Sequence, residues 1–211
     1  MNVFSTNLIL IGMPGAGKST IGLLLAKELA KNFIDTDILI QLREEKTLQD
    51  ILHQHGYQHL RDIEEEILLS VKCSNHIIAT GGSAVYSEAG MKHLNSFGPV
   101  IFLDVPLDIL QQRIHNFDTR GIARRPGQSF LELFEERRAL YQHFANITIS
   151  CGDKTQDQIL QEIIYEEAEA FAEMDAYNIQ LKRECQTPGN LLNFTFLVFL
   201  SLYHICFLPS L

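Results

Sequence analysis

The sequence predicts an α/β fold of three layers, in which a central parallel sheet is covered by helices on both faces. Two observations support this prediction. Short apolar runs bounded by turn residues alternate along the chain with segments of helical periodicity. A glycine-rich loop directly follows the first apolar run, residues 8–11. Strands that alternate with helices form right-handed crossovers, so their sheet is parallel and its ligand site lies at the carboxyl ends of the strands.

Each element is predicted from the length and spacing of its apolar residues. The strands are short runs rich in Ile, Leu, Val or Phe, over residues 7–11, 33–35, 76–79, 99–103 and 146–150. The helices are periodic segments over residues 18–31, 37–43, 47–55, 59–72, 84–94, 107–115, 129–144 and from about 155 onward. Residues 116–128 separate two of these helices and are expected to form a lid-like loop.

The glycine-rich loop has the spacing of a phosphate-binding loop, GxxGxGKST. Backbone N–H groups of such a loop form a cradle for phosphate oxygens, and the helix that follows adds its positive N-terminal dipole. Lys18 is expected to reach the outer phosphates, while the Ser19 hydroxyl ligates Mg²⁺. The alternative is a glycine turn that binds nothing. The predicted nucleotide-binding residues of this loop are Gly12, Gly15, Ala16, Gly17, Lys18, Ser19 and Thr20. Together with the alternating elements, the loop predicts a P-loop NTPase-type fold.

Composition and charge narrow the class of ligand. The chain has 211 residues, 46% hydrophobic and 20% charged, which is the composition of a globular protein. Its formal charge of -9 argues against a large nucleic-acid surface and favours a small-molecule substrate. The four cysteines form no CxxC pair, which indicates neither a zinc site nor a disulfide framework. With no secretory signal visible, we expect a cytoplasmic protein.

Three segments are expected along the chain: a P-loop domain over residues 1–155, an acidic amphipathic helix over 156–185 and a hydrophobic tail over 186–211. Residues 191–208 contain no charged side chain and are just long enough to span a bilayer. This segment has three interpretations: it packs on this domain or a partner, it anchors the protein in a membrane, or it is a poorly ordered or non-native end. Membrane contact is not favoured, because Asn, Thr, Ser and His interrupt the segment.

Two carboxylates, Asp35 and Asp37, follow the second predicted strand. The two carboxylates stand at separate positions, i and i+2, at the end of the strand, so they can have different roles. One can bind in the coordination shell of Mg²⁺, and the other can accept the proton of a substrate hydroxyl as it attacks a phosphate. The alternative is a helix N-cap pair, which is a common use of Asp.

The order of further motifs resembles that of the shikimate kinases. The loop and the Asp-Thr-Asp run are followed by four further motifs. They are Arg61 with Glu64, the glycine pair at 81–82, Arg125-Pro126, and Arg137 four residues before Tyr141. The resemblance covers residues 5 to 150. It implies an ATP-dependent kinase that needs Mg²⁺ and phosphorylates the 3-hydroxyl of shikimate, in aromatic amino acid biosynthesis by the chorismate pathway. We expect it to act as a monomer.

The resemblance also implies roles for particular residues. Asp37 binds the substrate hydroxyls and serves as base, Asp35 lies by the magnesium, and Arg61 and Arg137 clamp a carboxylate. The planar guanidinium fork of arginine suits this last task, because it pairs bidentately with a carboxylate. Glu64 can pair with Arg61 on the same helix face and fix its rotamer; the alternative is an ordinary surface pair.

The resemblance also implies roles for two glycines and for arginines near the nucleotide. Gly81 and Gly82 are expected to let the backbone approach the substrate closely, and a simple turn is the alternative. Arg113 resembles the arginine beside the adenine. In the lid, Arg125 is predicted to reach over the phosphates, with Arg120 and Arg124 as rivals.

The sequence departs from the family in the expected substrate pocket. Leu52 and Leu60 stand where aromatic walls are usual, and Ser83 stands where the family has a third glycine. Aromatic walls pack a ring substrate and exclude water. A related kinase for another hydroxylated carboxylic acid is therefore one alternative, and a catalytically weak, kinase-like binding protein is another.

Overall fold

The structure, a computed structural model, describes residues 7–114, 117 and 121–185. Its strands are β1 (Leu8–Ile11), β2 (Asn32–Asp35), β3 (His76–Ala79), β4 (Val100–Asp104) and β5 (Ile147–Ser150). Its helices are α1 (Lys18–Glu28), α2 (Thr36–Glu44), α3 (Leu48–Ser70), α4 (Glu88–Asn95), α5 (Leu107–Arg113), α6 (Phe130–Phe144) and α7 (Gln156–Cys185), with a 3-10 turn at Ala84–Tyr86.

The strands form one parallel sheet in the order β2-β3-β1-β4-β5. Strand β1 lies at its centre, where Leu10 is in register with Ala79 of β3 and Ile101 of β4. All four residues of β1 are fully buried. This continuous aliphatic run is what a strand covered on both faces requires. The predicted three-layer fold with a central parallel sheet is confirmed.

Side-chain caps determine where several helices begin. Thr47 and Ser87 accept hydrogen bonds from backbone N–H groups in the first turns of α3 and α4. Ser129 and Glu132 form a reciprocal capping box at the start of α6. Helix α1 is different, because it follows Gly17 and has no side-chain cap. Its first N–H groups are therefore left for another acceptor.

At two places the division of the chain into helices differs from prediction. The two helices predicted over 47–55 and 59–72 are joined as α3, with a break in helical geometry at Gly56, where φ is 81° and ψ is 173°. The helix predicted over 84–94 is divided by Ser87, which ends the 3-10 turn and caps α4. A polar side chain that bonds the backbone nearby starts a new helix there.

The chain divides into two compact units, one ending at Leu160 and the other beginning at Gln161. The first contains the sheet and α1–α6, and α7 continues through the second to Cys185. None of the helices in the described part of the chain has the length and apolar character needed to cross a membrane. The tail over 186–211, with its apolar segment 191–208, lies outside the described residues.

Candidate active site

A cavity of about 390 Å³ opens beside the glycine loop. Residues that are distant in sequence line it: Lys18 from the loop, Asp37 from α2, Glu64 from α3 and Arg137 from α6. Parallel strands end at one edge of the sheet, and the segments that follow them meet there. The cavity therefore joins the predicted phosphate loop to the predicted acceptor residues.

The glycine loop needs its glycines. Gly12 has a φ of 144°, and a Cβ there would lie 2.9 Å from the carbonyl oxygen of Leu103. Gly15 has a φ of 81°, and a Cβ would lie 2.9 Å from Cγ1 of Ile114. Gly17 has a φ of 97°. Only glycine adopts these conformations without strain, so the loop can turn its backbone toward a ligand.

The other loop residues lie as a phosphate site requires. Gly15, Gly17, Ser19 and Thr20 line the cavity, while Ala16 is buried beneath it. The uncapped start of α1 directs backbone N–H groups and the positive end of its dipole to the same place. These donors fit the phosphates of a nucleotide.

Lys18 is folded back onto its own loop. Its Nζ donates to the carbonyl oxygens of Gly12, at 2.7 Å, and Met13, at 3.0 Å. Burial lowers its pKa to about 8, against the opposing effect of the Asp37 charge. The ammonium group is thus poorly hydrated, which strengthens its attraction to a nearby anion.

Asp35 caps α2 and also contacts Ser19, the residue predicted with it to bind Mg²⁺. One carboxylate oxygen accepts the backbone N–H of Asp37 and caps α2, and the other accepts the Ser19 hydroxyl at 2.6 Å. In the described ranges no group of three or more His, Cys, Asp or Glu side chains could hold a metal ion. Ser19 and Asp35 nevertheless offer the hard oxygens that Mg²⁺ prefers when phosphates and waters complete its shell.

Two carboxylates converge on Gly81. A Cβ at this residue would lie 2.5 Å from Oδ1 of Asp37 and would overlap Oε1 of Glu64. Glu64 is 3% exposed, and burial, followed by the charge of Asp37, raises its pKa to about 7. A hydrogen bond with the Ser83 side chain acts in the opposite direction. Gly81 thus allows a tightly packed acidic pair to form.

Gly82 brings the backbone against an arginine. A Cβ there would lie 2.9 Å from Nη1 of Arg137 and 2.8 Å from Cδ of Pro14. Arg137 is 1% exposed, and its Nη2 donates to the carbonyl oxygen of Ala123 at 2.5 Å. Among the described residues its Nε has no hydrogen-bond partner. A buried guanidinium with an unused N–H group fits an anionic ligand.

Arg61 lies beside a second cavity, of about 230 Å³, and not in the lining of the first. Glu64 and Ser83 line both cavities and so connect them. Within the described residues Arg61 forms no ion pair with Glu64, so the expected pair is absent. Its guanidinium carbon lies 3.4 Å from the ring centroid of Tyr86, and burial lowers its pKa.

Tyr86 was not identified from the sequence. Its ring faces Arg61, and its hydroxyl donates to Oε1 of Glu136 at 2.8 Å. The contact joins the 3-10 turn to α3, and neither helical spacing nor a known motif signals such a pair. Its only sequence signal is an aromatic residue close behind the turn of 81–83.

The arginines predicted to contact the nucleotide occupy different positions. Arg113 lines the main cavity, and its Nη1 is 3.5 Å from the carbonyl oxygen of Gly15. Arg125 is 59% exposed and forms an ion pair with Glu136, outside the residues that line the main cavity. Arg124 stacks on Phe117. Arg120 lies outside the described residues.

The residues that differ from the family pattern lie in or near the cavities. Leu60 is buried and lines the main cavity. Leu52 packs against a cluster of buried aliphatic side chains that includes Ile40 and Ile51. Ser83 is 8% exposed and is the hydrogen-bond partner of Glu64.

Fold and site together define a P-loop kinase for a small acceptor. Among solved structures, the chain is similar to the shikimate kinase from Acinetobacter baumannii in complex with shikimate, with a TM-score of 0.68 and 29% identity over 75% of this chain and 90% of that one. It is also similar to the shikimate kinase from Aquifex aeolicus, with a TM-score of 0.67 and 32% identity over 79% and 98%.

The sequence comparisons agree. The chain is 35% identical to the shikimate kinase of Sulfurihydrogenibium sp. over 75% of its own length and 95% of that protein. It is 38% identical to the shikimate kinase of Rippkaea orientalis over 75% and 86%. The shikimate kinase family model matches residues 14–167. The chain belongs to the shikimate kinase family, and the predicted family, enzyme class and kinase function are confirmed.

Proposed function

We propose that the protein transfers the terminal phosphoryl group of ATP to the 3-hydroxyl of shikimate, with Mg²⁺ as its metal cofactor. The observation that supports this most is the convergence of Lys18, Asp37 and Arg137 on one cavity, because it combines phosphate binding, proton acceptance and anion binding. A relative whose solved structure is in complex with shikimate supports the choice of acceptor.

On the donor side, the loop and the start of α1 hold the phosphates through backbone N–H groups. Lys18 exchanges its loop carbonyls for phosphate oxygens, and its charge offsets the negative charge that develops on them. Arg113 lines the cavity beside Gly15, and we assign it to the nucleotide base.

Ser19 and Asp35 are the residues that would hold Mg²⁺. The ion neutralises phosphate charge and orients the transferring group when it is bound. Asp35 is kept in position by capping α2, so the same contact prepares the site and starts the helix that carries Asp37.

On the acceptor side, Asp37 accepts the hydroxyl proton as the hydroxyl oxygen bonds to the terminal phosphorus. The bond from that phosphorus to the bridging oxygen breaks, and ADP leaves with the bonding electrons. Glu64 supports Asp37 by sharing the tight space beside Gly81. Arg61, Arg137 and the backbone at Gly81 and Gly82 hold the acceptor, with the two guanidinium groups facing its carboxylate.

We assign Arg125 to the lid. It pairs with Glu136 in this structure and exchanges that partner for the phosphates when nucleotide binds. Such closure excludes water and suppresses hydrolysis of ATP.

We also propose the setting of the reaction. The protein acts in the cytoplasm, as a monomer, in aromatic amino acid biosynthesis by the chorismate pathway. The cysteine pattern, which indicates no disulfide framework, and the family support this assignment.

A second candidate is the same phosphoryl transfer to a different hydroxylated carboxylic acid. Leu60 in the cavity wall and Ser83 between the two cavities favour it, because they change the surfaces that pack against the acceptor. The anion-binding arginines are the same in both candidates.

ADP release by the purified protein with Mg-ATP, with and without shikimate, tests the proposal. We expect shikimate-dependent release that falls at least about 100-fold in Lys18→Ala, since one lost transition-state contact has that effect. Asp37→Asn should lose a similar factor through its base. Intact ATP binding without stimulation by shikimate would favour the second candidate, tested with a panel of hydroxy acids. Nucleotide binding without transfer to any of them would indicate a binding protein.

A further inference from the structure

Tyr86 supplies the contact that Glu64 was expected to make. The guanidinium carbon of Arg61 lies 3.4 Å from the Tyr86 ring centroid and 5.1 Å from that of Tyr57. Glu64 is directed instead to Ser83 and to the space beside Gly81. The orientation of Arg61 is therefore determined by an aromatic face.

Tyr86 is itself held at both ends. It closes the 3-10 turn, whose preceding residues Ala84 and Val85 are buried in the core. Its hydroxyl donates to Glu136, the neighbour of Arg137 on α6. The guanidinium carbon of Arg137 lies 5.4 Å from the same ring. Tyr86 is thus a fixed platform between the two helices that carry the arginines.

The stacked arrangement leaves hydrogen-bond donors unused. A ring against the face of a guanidinium group leaves its edge free to donate in its own plane. Nε and Nη2 of Arg61 and Nε of Arg137 are buried and have no partner in the described part of the chain. Buried donors of this kind are costly, and an acceptor that reaches them gains correspondingly.

The second cavity contains acidic side chains as well as Arg61. Asp62, Glu64 and Glu65 also line the second cavity, so acidic groups share it with Arg61. The negative face of the Tyr86 ring reduces the repulsion between the two guanidinium groups. The position of Arg61 therefore matters, since acidic side chains line the same cavity as its guanidinium group.

We infer that Tyr86 is a positioning and specificity-determining residue for the carboxylate of the acceptor. Its ring presents Arg61 edge-on beside Arg137, and its hydroxyl contact with Glu136 keeps the ring in place. The inference rests on the proposed function, because it takes the acceptor to carry a carboxylate.

Two variants separate the ring from the hydroxyl. Tyr86→Leu removes the aromatic face, and we expect the KM for shikimate to rise about tenfold, while kcat and the KM for ATP stay within about twofold. Tyr86→Phe keeps the face, and its KM for shikimate should stay within about threefold of the wild type, since the substitution removes only the hydrogen bonds that the hydroxyl makes with Glu136 and Arg137. Equal losses in both variants would overturn the inference, as would an unchanged KM in Tyr86→Leu.

An analogue of shikimate whose carboxylate is reduced to a primary alcohol provides the second readout. Its affinity, measured by competition with shikimate, should be the same for the wild type and Tyr86→Leu. A parallel loss of both ligands would mean that Tyr86 supports the pocket in general, which contradicts the inference. If Tyr86→Leu does not fold, Tyr86→Met replaces it with the same expected results.

Wild-type activity separates the two proposals. Shikimate-dependent ADP release by the wild type together with an unaffected Tyr86→Leu overturns the role of Tyr86 alone. No shikimate-dependent release by the wild type overturns the proposed acceptor and this inference together.

Discussion

The two ends of the active-site cavity are built in different ways. Most of the donor end comes from one continuous segment, the glycine loop and the start of α1, whose ligand groups are mostly backbone N–H groups. Asp35 at the end of β2 and Arg113 on α5 join it from elsewhere. The acceptor end comes from side chains on α2, α3, the 3-10 turn and α6. A backbone site is specified by local sequence, whereas a side-chain site depends on how distant elements pack.

The two ends also differ in how they manage charge. At the donor end a single buried cation, Lys18, is held by two carbonyl oxygens. At the acceptor end the carboxylates of Asp37 and Glu64 lie beside Gly81, and the guanidinium group of Arg137 lies beside Gly82. Arg61 lines the adjoining second cavity. Small displacements should therefore matter more at the acceptor end, where like charges are close and each group depends on its neighbours.

Gly81→Ala tests this difference most severely. The added Cβ would overlap the Glu64 carboxylate and press on Asp37, and a displacement of about 1 Å in a catalytic group can lower the rate about 100-fold. We expect such a fall in kcat/KM for the acceptor, with little change in the KM for ATP. Gly152→Ala is the control, because its Cβ would meet only Pro106 at 3.5 Å. Wild-type kinetics in Gly81→Ala would mean that the acceptor end tolerates displacement.

Arg137→Lys should give the next largest effect. Lysine cannot reproduce the planar fork, and the loss of one charge-assisted hydrogen bond corresponds to a rise of about tenfold or more in the KM for shikimate. Steady-state kinetics with varied shikimate measure it. Arg138→Lys on the same helix is the matched control, since Arg138 pairs with Asp104 outside the cavity lining. Equal effects of the two substitutions would show that Arg137 acts only through the stability of α6.

Glu64→Gln should give the smallest effect, in the pH dependence of stability. The pKa of Glu64 is about 7 in the folded protein against an ordinary 4.5, so the folded state keeps a proton that the unfolded state releases. Stability is therefore lost as the pH rises between these values. From pH 5.5 to 7 the free energy of unfolding should fall by about 1.5 kcal/mol in the wild type relative to Glu64→Gln.

Urea unfolding of the ligand-free protein at several pH values measures this difference. Glu66→Gln, which changes an exposed carboxyl group of the same helix, provides the comparison variant. If the wild type and Glu64→Gln respond to pH in parallel, the buried carboxyl group does not control this dependence.

Much of the fold could be predicted from the sequence. The strand over 76–79 has the observed bounds, and three others differ by one residue at one end. The strand predicted over 99–103 is displaced by one residue, to Val100–Asp104. Helix boundaries were less certain, because Gly56 continues α3 with non-helical dihedral angles and Ser87 caps a new helix. Both effects depend on backbone geometry that apolar spacing does not encode.

The sequence by itself determined the donor end. The order of glycines, Lys18 and Ser19 after an apolar strand is enough, because each group acts next to where it is encoded. The same holds for Asp35, whose role as a helix cap is a local one.

Only the tertiary structure decided how the acceptor end is assembled. Arg61 was expected to pair with Glu64, three residues away on one helix, but it stacks on Tyr86, and Glu64 is buried beside Asp37. Arg125 likewise forms an ion pair with Glu136, a contact that the sequence around Arg125 does not predict. The physical reason is that burial and charge at these residues come from other elements of the fold, and local spacing contains no information about them.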